Sequence, residues 1–357
     1  MLAKIFYKLT FTAALSFASL SANADYTFYA LGAPTTFSSA AAINNLDQVV
    51  GSYYTIDTST NQQVGHAIYW TNNNFIDLGI GGSSGGNSIA LAINDSGQVV
   101  GGQSGVGSAW DATLWSNGTT TNILRSNSTQ VYGSAINSSG QIGVAGQVFH
   151  YPQNVIASLP LQAYISDINN SGQIVGYTGG SPSAVLFNPS GNYSWTSNIL
   201  ESLGGNFSAA RSINNSGQVV GVSEVTPNTN LMHAVLWQNG TISDLGSGEA
   251  TSINSSGQIV GASANRATLW SNGNVIDLNS YLSSSVKTEG WVLNYAPAIN
   301  DNGSIVGEAS NSLLGITSQA FLLQSVNPVP EADTSAMLLM GAGVMGFMAR
   351  RRKQVAA

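Results

Sequence analysis

A nine-residue phrase that starts with Ile-Asn recurs seven times along the chain and constrains the fold more than any other feature. It begins at Ile43, Ile93, Ile136, Ile168, Ile213, Ile253 and Ile299. The starting points lie 32 to 50 residues apart and average about 43. A period of about 40–50 residues is typical of the four-stranded blades of a β-propeller.

Each repeat unit contains the signals of four strands. The Asn-x-x-Gly segment of the phrase predicts a turn after a first strand, because Asn and Gly tolerate left-handed backbone angles. A second hairpin is indicated by the pairs Asn117-Gly118, Asn239-Gly240 and Asn272-Gly273 between apolar runs. The fourth strands end in Asp-Leu at Asp77, Asp244 and Asp277, and we expect these carboxylates to accept backbone amides at a turn.

The third strand and the two ends of the array favour a closed ring. Residues 234–237 are apolar on both faces, as expected for a blade packed between two others, whereas a sandwich strand would show one polar face. The seventh unit lacks a fourth strand, and a spare strand at 26–32 precedes the first unit. We predict an all-β, seven-bladed propeller of four-stranded repeats over 25–326, closed by the N-terminal strand. The alternative is an open β-solenoid.

The first 24 residues have the pattern of a secretory signal peptide. Lys4 and Lys8 precede an apolar stretch over 9–20, and Ala22 and Ala24 form a small-x-small cleavage site. We expect signal peptidase to cut after Ala24.

The C-terminal segment 327–357 predicts a membrane helix over 334–349. A basic cluster of Arg350, Arg351, Arg352 and Lys353 follows that helix directly. Positive charge stays on the cytoplasmic side, so the body is predicted to lie outside the inner membrane.

This tail resembles the PEP-CTERM sorting signal of Gram-negative bacteria. Val329-Pro330-Glu331 matches the start of the family's Pro-Glu-Pro motif, although Ala332 replaces the second Pro. The resemblance implies cutting by an exosortase, a membrane transpeptidase-like enzyme, and a link to exopolysaccharide production.

The body resembles the extracellular HAF-repeat family. His66-Ala67-Ile68 and His233-Ala234-Val235 are close to the His-Ala-Phe start of that family's third strand, and Gln319-Ala320-Phe321 keeps its last two residues. The resemblance implies export and a repeat fold, and it brings no catalytic residues.

Composition excludes several kinds of site. Between residues 25 and 330 the chain has 15 acidic and 4 basic residues, which argues against a nucleic-acid partner. Cysteine is absent, so disulfides and thiolate sites are excluded. His66 and His233 share one repeat position, which indicates a structural role, and His150 has no partner nearby in sequence. We predict no metal, no cofactor and no catalytic residues, with one question open: whether Asp57, Asp111, Glu224 and Glu289 converge.

The connections between strands vary in length, and variable loops on a rigid ring usually carry binding. The candidate glycan contacts in or beside them are Tyr53, Tyr54, Trp110, Trp291 and Tyr295. The alternative is that these rings fill gaps between blades.

We expect an exported, non-enzymatic envelope or matrix scaffold that binds extracellular polysaccharide or a protein partner. It is anchored in the inner membrane before processing, and it lies at the cell surface or outside afterwards. The competing function is a propeller hydrolase or lyase that acts on exopolysaccharide.

Overall fold

The computed structural model describes residues 26–326, apart from residues 36, 59–60, 73, 80–85, 105–108 and 126–129. The predicted signal peptide, with Ala22 and Ala24, and the predicted helix over 334–349 lie outside the described residues. Among the residues that are described, no helix is long and apolar enough to cross a membrane.

Within the described residues, twenty-eight strands form seven four-stranded sheets, which we number as blades 1 to 7. The chain begins with β1 (Tyr26–Ala30). Blade 1 contains β2 (Ser38–Ile43), β3 (Val49–Asp57), β4 (Gln62–Thr71) and β5 (Asn74–Asp77). Blade 2 contains β6 (Asn87–Ile93), β7 (Val99–Ser104), β8 (Trp110–Ser116) and β9 (Thr119–Leu124). Blade 3 contains β10 (Gly133–Ile136), β11 (Gln141–Val144), β12 (Gln147–His150) and β13 (Val155–Ser158).

The remaining blades follow the same order. Blade 4 contains β14 (Ala163–Ile168), β15 (Ile174–Thr178), β16 (Ala184–Gly191) and β17 (Ser194–Ile199). Blade 5 contains β18 (Ser208–Ile213), β19 (Val219–Glu224), β20 (Met232–Gln238) and β21 (Thr241–Ser247). Blade 6 contains β22 (Glu249–Ile253), β23 (Ile259–Ser263), β24 (Arg266–Ser271) and β25 (Asn274–Asp277). A 3-10 helix (Leu278–Tyr281) and α1 (Ser284–Thr288) lead to blade 7, with β26 (Trp291–Ile299), β27 (Ile305–Asn311) and β28 (Ile316–Ser325).

The first strand of the chain completes the last blade. The order in blade 7 is β1-β28-β27-β26, and β1 pairs antiparallel with β28 from Tyr26 opposite Ser325 to Ala30 opposite Phe321. The predicted seven-bladed ring and its closure by the N-terminal strand are therefore confirmed, and the open solenoid is wrong.

The hydrophobic core lies between neighbouring blades. The first strands of successive blades contact one another around the whole ring, including β2 with β26, so these strands surround the central channel. One core cluster joins Val175 of blade 4 to Ala210 and Val235 of blade 5. In the third strand of blade 5, both Ala234 and Val235 are 0% exposed, as the two-sided apolar pattern predicts.

The ring has two faces that differ in their connections. We call the first the Asn face: it carries the turns that follow the seven Ile-Asn pairs and the hairpins between third and fourth strands. The other, the loop face, carries the hairpins between second and third strands and the connections from blade to blade. The long variable connections noted in the sequence lie on the loop face.

Candidate functional site

The asparagine of each phrase holds its own turn and also bonds to the next blade. In blade 5, Asn214 Oδ1 accepts the backbone amides of Ser216 at 3.1 Å and Gln218 at 3.0 Å. Its Nδ2 donates to Gln218 Oε1 at 2.8 Å and to the carbonyl of Asn254 in blade 6 at 3.0 Å. The left-handed residue of the turn is Gly217, with φ +77°, and not the asparagine, which corrects the backbone role that the sequence indicated for Asn.

The blade-to-blade bond of this asparagine recurs at every junction. Each Nδ2 donates to the carbonyl of the next phrase asparagine at 2.9 to 3.1 Å. The asparagine ring consists of Asn44, Asn94, Asn137, Asn169, Asn214, Asn254 and Asn300. All seven side chains are buried, so this ring fastens the propeller around its channel.

At the junction between blades 7 and 1, the hydrogen bond from the phrase Asn to the Gln of its own turn is replaced by a bond to an Asp of the next blade. Ser304 stands where the other phrases have Gln, and Asp47 stands where they have Gly. Asn300 Nδ2 donates to Asp47 Oδ1 at 2.8 Å, and Gln324 Nε2 donates to Asp47 Oδ2 at 2.9 Å. The two departures compensate each other, because Asp47 supplies the acceptor that Ser304 does not.

A cavity of about 380 Å³ opens on the Asn face between blades 3 and 4. This volume falls within the range of small-molecule sites. The residues that line it are all uncharged polar, aromatic, Gly or Pro at neutral pH: Ser139, Gln141, His150, Gln153, Asn170, Ser171, Gly172, Pro189, Gly191, Tyr193, Ser194 and Trp195. We call it the blade 3–4 cavity.

Three rings form one wall of the cavity. His150 meets Tyr193 edge to face with 4.6 Å between ring centroids, and it lies 6.2 Å from the ring of Trp195. Trp195 is 7% exposed and its Nε1 donates to the carbonyl of Gly172 at 3.0 Å, so it is fixed in place. Tyr193 is 45% exposed and sits in the hairpin turn with φ +58°.

The cavity offers hydrogen bonds without charge. Burial lowers the pKa of His150, so its ring is neutral at neutral pH. His150 Nε2 is buried and has no hydrogen-bond partner within the part of the chain that the structure describes. The amides of Gln153 and Asn170 and the hydroxyl of Ser194 add donors and acceptors around it.

Ionisable side chains gather elsewhere, beside the inner strands of blades 5 to 7. We call Arg211, Glu249, Tyr295 and Glu308 the channel arc. Arg211 Nε lies 2.8 Å from Glu249 Oε1, and Glu308 Oε1 accepts the Ser39 hydroxyl at 2.6 Å. Burial and then the charges of Glu249 and Glu308 raise the pKa of Tyr295 to about 12, with Arg211 opposing them. The arc therefore holds two carboxylates that already have protein partners.

Two of the five predicted glycan contacts are buried. Tyr53 is 4% exposed, and its hydroxyl donates to Asp77 at 2.7 Å. Trp291 is 9% exposed and packs on Phe28 with 5.6 Å between ring centroids. Both rings fill space in the protein interior, as the alternative interpretation expected.

The other three predicted contacts are partly exposed but lie apart. Tyr54 packs against Phe37 in blade 1, and Trp110 packs against Tyr132 at the junction of blades 2 and 3, each with 5.2 Å between centroids. Tyr295 belongs to the channel arc. The structure does not bring the five rings to one surface, and none of them lines the blade 3–4 cavity.

The shared aspartates cap turns, as predicted. Their carboxylates accept backbone amides two residues onward at 2.8 to 2.9 Å, in the pairs Asp77–Gly79, Asp244–Gly246 and Asp277–Asn279. His66 and His233 also reach the carboxylates of Asp77 and Asp244, at 3.2 and 2.9 Å. These histidines therefore connect the third and fourth strands of their blades.

The four loop acids do not share a site. Asp57 lies in blade 1, Asp111 in blade 2, Glu224 in blade 5 and Glu289 just after α1. Across the described ranges, no three His, Asp or Glu residues are grouped so that they could hold a metal ion.

Sequence reasoning missed Tyr193 and Trp195 and set His150 aside. One signal was available, because blade 4 departs from blades 2, 5 and 6 in the hairpin between its third and fourth strands. Those three blades have Trp-x-Asn-Gly there, whereas blade 4 has Phe187 followed by a longer turn and places Trp195 in the fourth strand.

Comparison with known proteins identifies the tail. Residues 328–353 match the PEP-CTERM protein-sorting motif, which implies export and sorting by exosortase. The match spans the predicted motif Val329-Pro330-Glu331 and the arginines Arg350, Arg351 and Arg352. No curated protein matches the chain. The resemblance to the HAF-repeat family stays a prediction.

Solved structures with a similar fold share little sequence with this chain. The β-propeller domain of the Trilobed protease from Pyrococcus furiosus has TM-score 0.55 at 9% identity, covering 83% of this chain and 98% of that one. It is described as having an open velcro topology, whereas β1 closes the ring here. TolB from Acinetobacter baumannii has TM-score 0.42 at 11% identity, covering 77% and 63%. A gluconolactonase from Xanthomonas campestris has TM-score 0.40 at 10% identity, and the match covers 84% of this chain and 89% of that one. At these identities the likeness shows the fold alone.

Proposed function

We propose that this protein is a non-enzymatic envelope or matrix protein that binds a neutral glycan in the blade 3–4 cavity. The sorting motif over 328–353 supports an extracellular location for the protein, because this motif implies export. Signal peptidase removes residues 1–24, the tail holds the protein in the inner membrane, and exosortase then releases it to the surface or the matrix.

The observation that carries the proposal is the chemistry of the cavity wall. A sugar ring presents a C–H face that packs on aromatic rings, and hydroxyls that bond to amides and hydroxyls. The blade 3–4 cavity offers Tyr193 and Trp195 for the first and Gln153, Asn170 and Ser194 for the second. Among the described residues, no Lys or Arg lines it, so the carboxylates of uronic acids find no cationic partner in that lining. None of the described lining residues is Asp or Glu either, so the lining lacks the two carboxyl groups of an ordinary glycosidase.

The test is titration calorimetry of the full chain in detergent against neutral and uronate oligosaccharides from the host's own exopolysaccharide. We expect neutral oligosaccharides to bind and uronates not to bind. Removing the exposed ring in Tyr193→Ala should weaken binding by about tenfold, which corresponds to about 1.4 kcal/mol.

Tyr164→Ala is the matched control. Tyr164 is 60% exposed and stacks on Tyr177, with 5.0 Å between centroids, but it does not line the cavity. Its loss should leave the affinity unchanged. If both variants bind like the unaltered protein, the blade 3–4 cavity is not the glycan site.

The competing function is a hydrolase or lyase that acts on the same exopolysaccharide. The channel arc would supply its carboxylates, Glu249 and Glu308, whose charges both raise the pKa of Tyr295. Incubation of the purified chain with the polymer separates the two functions. Shortened chains that disappear in Glu308→Gln would overturn the non-enzymatic proposal, and retention of intact polymer supports it.

A further inference from the structure

The chain enters and leaves the ring on the Asn face. Tyr26 begins β1 opposite Ser325, the last residue of β28. The amide of Ser325 donates at 3.1 Å to the hydroxyl of Ser304, which ends the Asn-face turn of blade 7. Val326 follows and is 42% exposed. Both described ends therefore lie on one side of the propeller.

Only short segments separate this face from the membrane-directed parts of the sequence. Residues 327–333 precede the apolar run that begins at Thr334, and seven extended residues span at most about 25 Å. The strands of the ring are about 20 Å long, so the loop face is further from the tail by about that distance.

The blade 3–4 cavity opens on the same face. Ser139 and Asn170 belong to the turns after Ile-Asn in blades 3 and 4, and Gln153 and Tyr193 belong to the hairpins between third and fourth strands. The long variable loops point the other way, so the cavity and the two chain ends share a side that those loops do not.

The Asn face is not built to adhere to a lipid surface. Its seven turn phrases contain Asp47, Asp95 and Asp301 and no Lys or Arg. Acidic groups gain nothing from an anionic leaflet, where basic residues are attracted. An Asn face that is tethered near the membrane but does not adhere to it leaves space between the two, and a glycan can occupy that space.

We infer that, before exosortase acts, the tail holds the propeller with its Asn face toward the membrane in which the tail is anchored, and that the cavity then takes a neutral glycan carried on that same membrane. The ligand in this inference rests on the proposed function, whereas the orientation rests on the chain ends alone.

The absence of cysteine permits a direct test, because one introduced cysteine is the only thiol in the chain. Ser255→Cys places it on an exposed Asn-face turn, and Ser312→Cys places it on an exposed loop-face hairpin. Each full-length variant is labelled with a fluorophore and inserted into phosphatidylcholine vesicles that contain nitroxide-headgroup lipid. We expect quenching at Ser255→Cys to exceed that at Ser312→Cys by about twofold or more, given the length of the strands between them. Equal or reversed quenching overturns the orientation.

The ligand half of the inference is tested in the same vesicles with a neutral glycolipid added. The bound glycolipid should compete with a soluble neutral oligosaccharide and weaken its apparent affinity several-fold. If the affinity for the soluble oligosaccharide is unchanged by the glycolipid, the ligand is not carried on the same membrane. The proposed function would still stand, because the soluble oligosaccharide binds. Failure of the soluble oligosaccharide to bind in calorimetry refutes the proposed function, while unequal quenching would still establish the orientation.

Discussion

The asparagine ring and the blade 3–4 cavity lie on the same face and are built from the same kind of turn, yet they differ in every other respect. The ring consists of what the seven units share, and each junction repeats the same blade-to-blade bond. The cavity arises where two units depart from the shared pattern, at His150 in blade 3 and at Tyr193 and Trp195 in blade 4.

The difference teaches how to separate structural from ligand-binding residues in a repeat protein. Asn214 is buried and already makes four hydrogen bonds, so it has little capacity left for a ligand. Tyr193 is 45% exposed, and His150 Nε2 has no partner among the described residues. Residues that all seven units share stabilise the ring. Ligand binding is expected at residues that differ from the shared pattern and still have hydrogen-bonding groups or surface free for a ligand.

The largest effect is expected from Asn214→Ala. The change leaves the amides of Ser216 and Gln218 without their acceptor and removes the bond to blade 6, although the carbonyl of Asn254 keeps the amide of Gly257. A polar group left without its partner costs about 1–3 kcal/mol and a lost hydrogen bond about 1 kcal/mol, so we expect a loss of about 3 kcal/mol in the free energy of unfolding, measured in urea. The control is Asn215→Ala, which removes one exposed acceptor and should cost under about 1 kcal/mol. Equal losses in the two variants would contradict the special role of the ring.

A smaller loss of stability is expected at the junction between blades 7 and 1, where Asp47 and Ser304 differ from the residues of the other phrases. Asp47→Gly restores the residue found in the other turns but removes the acceptor for Asn300 and Gln324. We expect a loss of about 1–2 kcal/mol in the free energy of unfolding, since the positive φ of residue 47 suits Gly and offsets part of the loss. Adding Ser304→Gln supplies the acceptor of the other phrases and should restore most of the stability. No recovery in the double variant would show that the two departures are independent.

The smallest change in stability is expected at Glu224. It tests whether a residue that differs from the repeat pattern can be purely structural and take no part in ligand binding. Glu224 is particular to blade 5, and its carboxylate accepts the amides of Asn206, Asn230 and Thr229 at 2.8 to 3.2 Å. These bonds, chiefly the one from Asn206, hold the pKa of Glu224 below its ordinary value. Its stabilising effect is therefore present above the unfolded pKa and is lost as pH falls through the folded one.

Thermal unfolding of Glu224→Gln checks this sign. The difference in Tm between the unaltered protein and the variant should be largest at neutral pH and should shrink in acid below the ordinary carboxyl range. Glycan affinity should not change, because Glu224 does not line the cavity. A Tm difference that grows in acid, or a loss of affinity, would contradict this assignment.

Most of the fold was predictable from sequence because it depends on signals inside each unit. The phrase, the Asn-Gly hairpins and the spare strand at 26–32 predicted seven four-stranded blades and their closure. The turn role of Asp77 was predictable too, since it depends on residues two positions away. The blade-to-blade bond of Asn214 was not predicted, because its acceptor lies 40 residues along the chain.

The candidate site was not predicted for the same physical reason. His150 and Tyr193 lie 43 residues apart in sequence, and only the packing of blade 3 on blade 4 brings their rings to 4.6 Å. Aromatic residues near variable loops were the sequence-based candidates, but Tyr53 and Trp291 fill the interior. Residue type alone does not show whether a ring near a loop faces solvent or a neighbouring blade.

The central claim is that shared residues hold the ring while the departures at blades 3 and 4 bind glycan. The most direct measurement is the Tm and the Kd for one neutral oligosaccharide, obtained for Asn214→Ala and Tyr193→Ala side by side, below the Tm of both. The account predicts that Asn214→Ala loses stability and keeps its affinity, whereas Tyr193→Ala keeps its Tm and loses affinity by about tenfold. An affinity in Tyr193→Ala equal to that of the unaltered protein, or a parallel loss of both quantities in both variants, would contradict it.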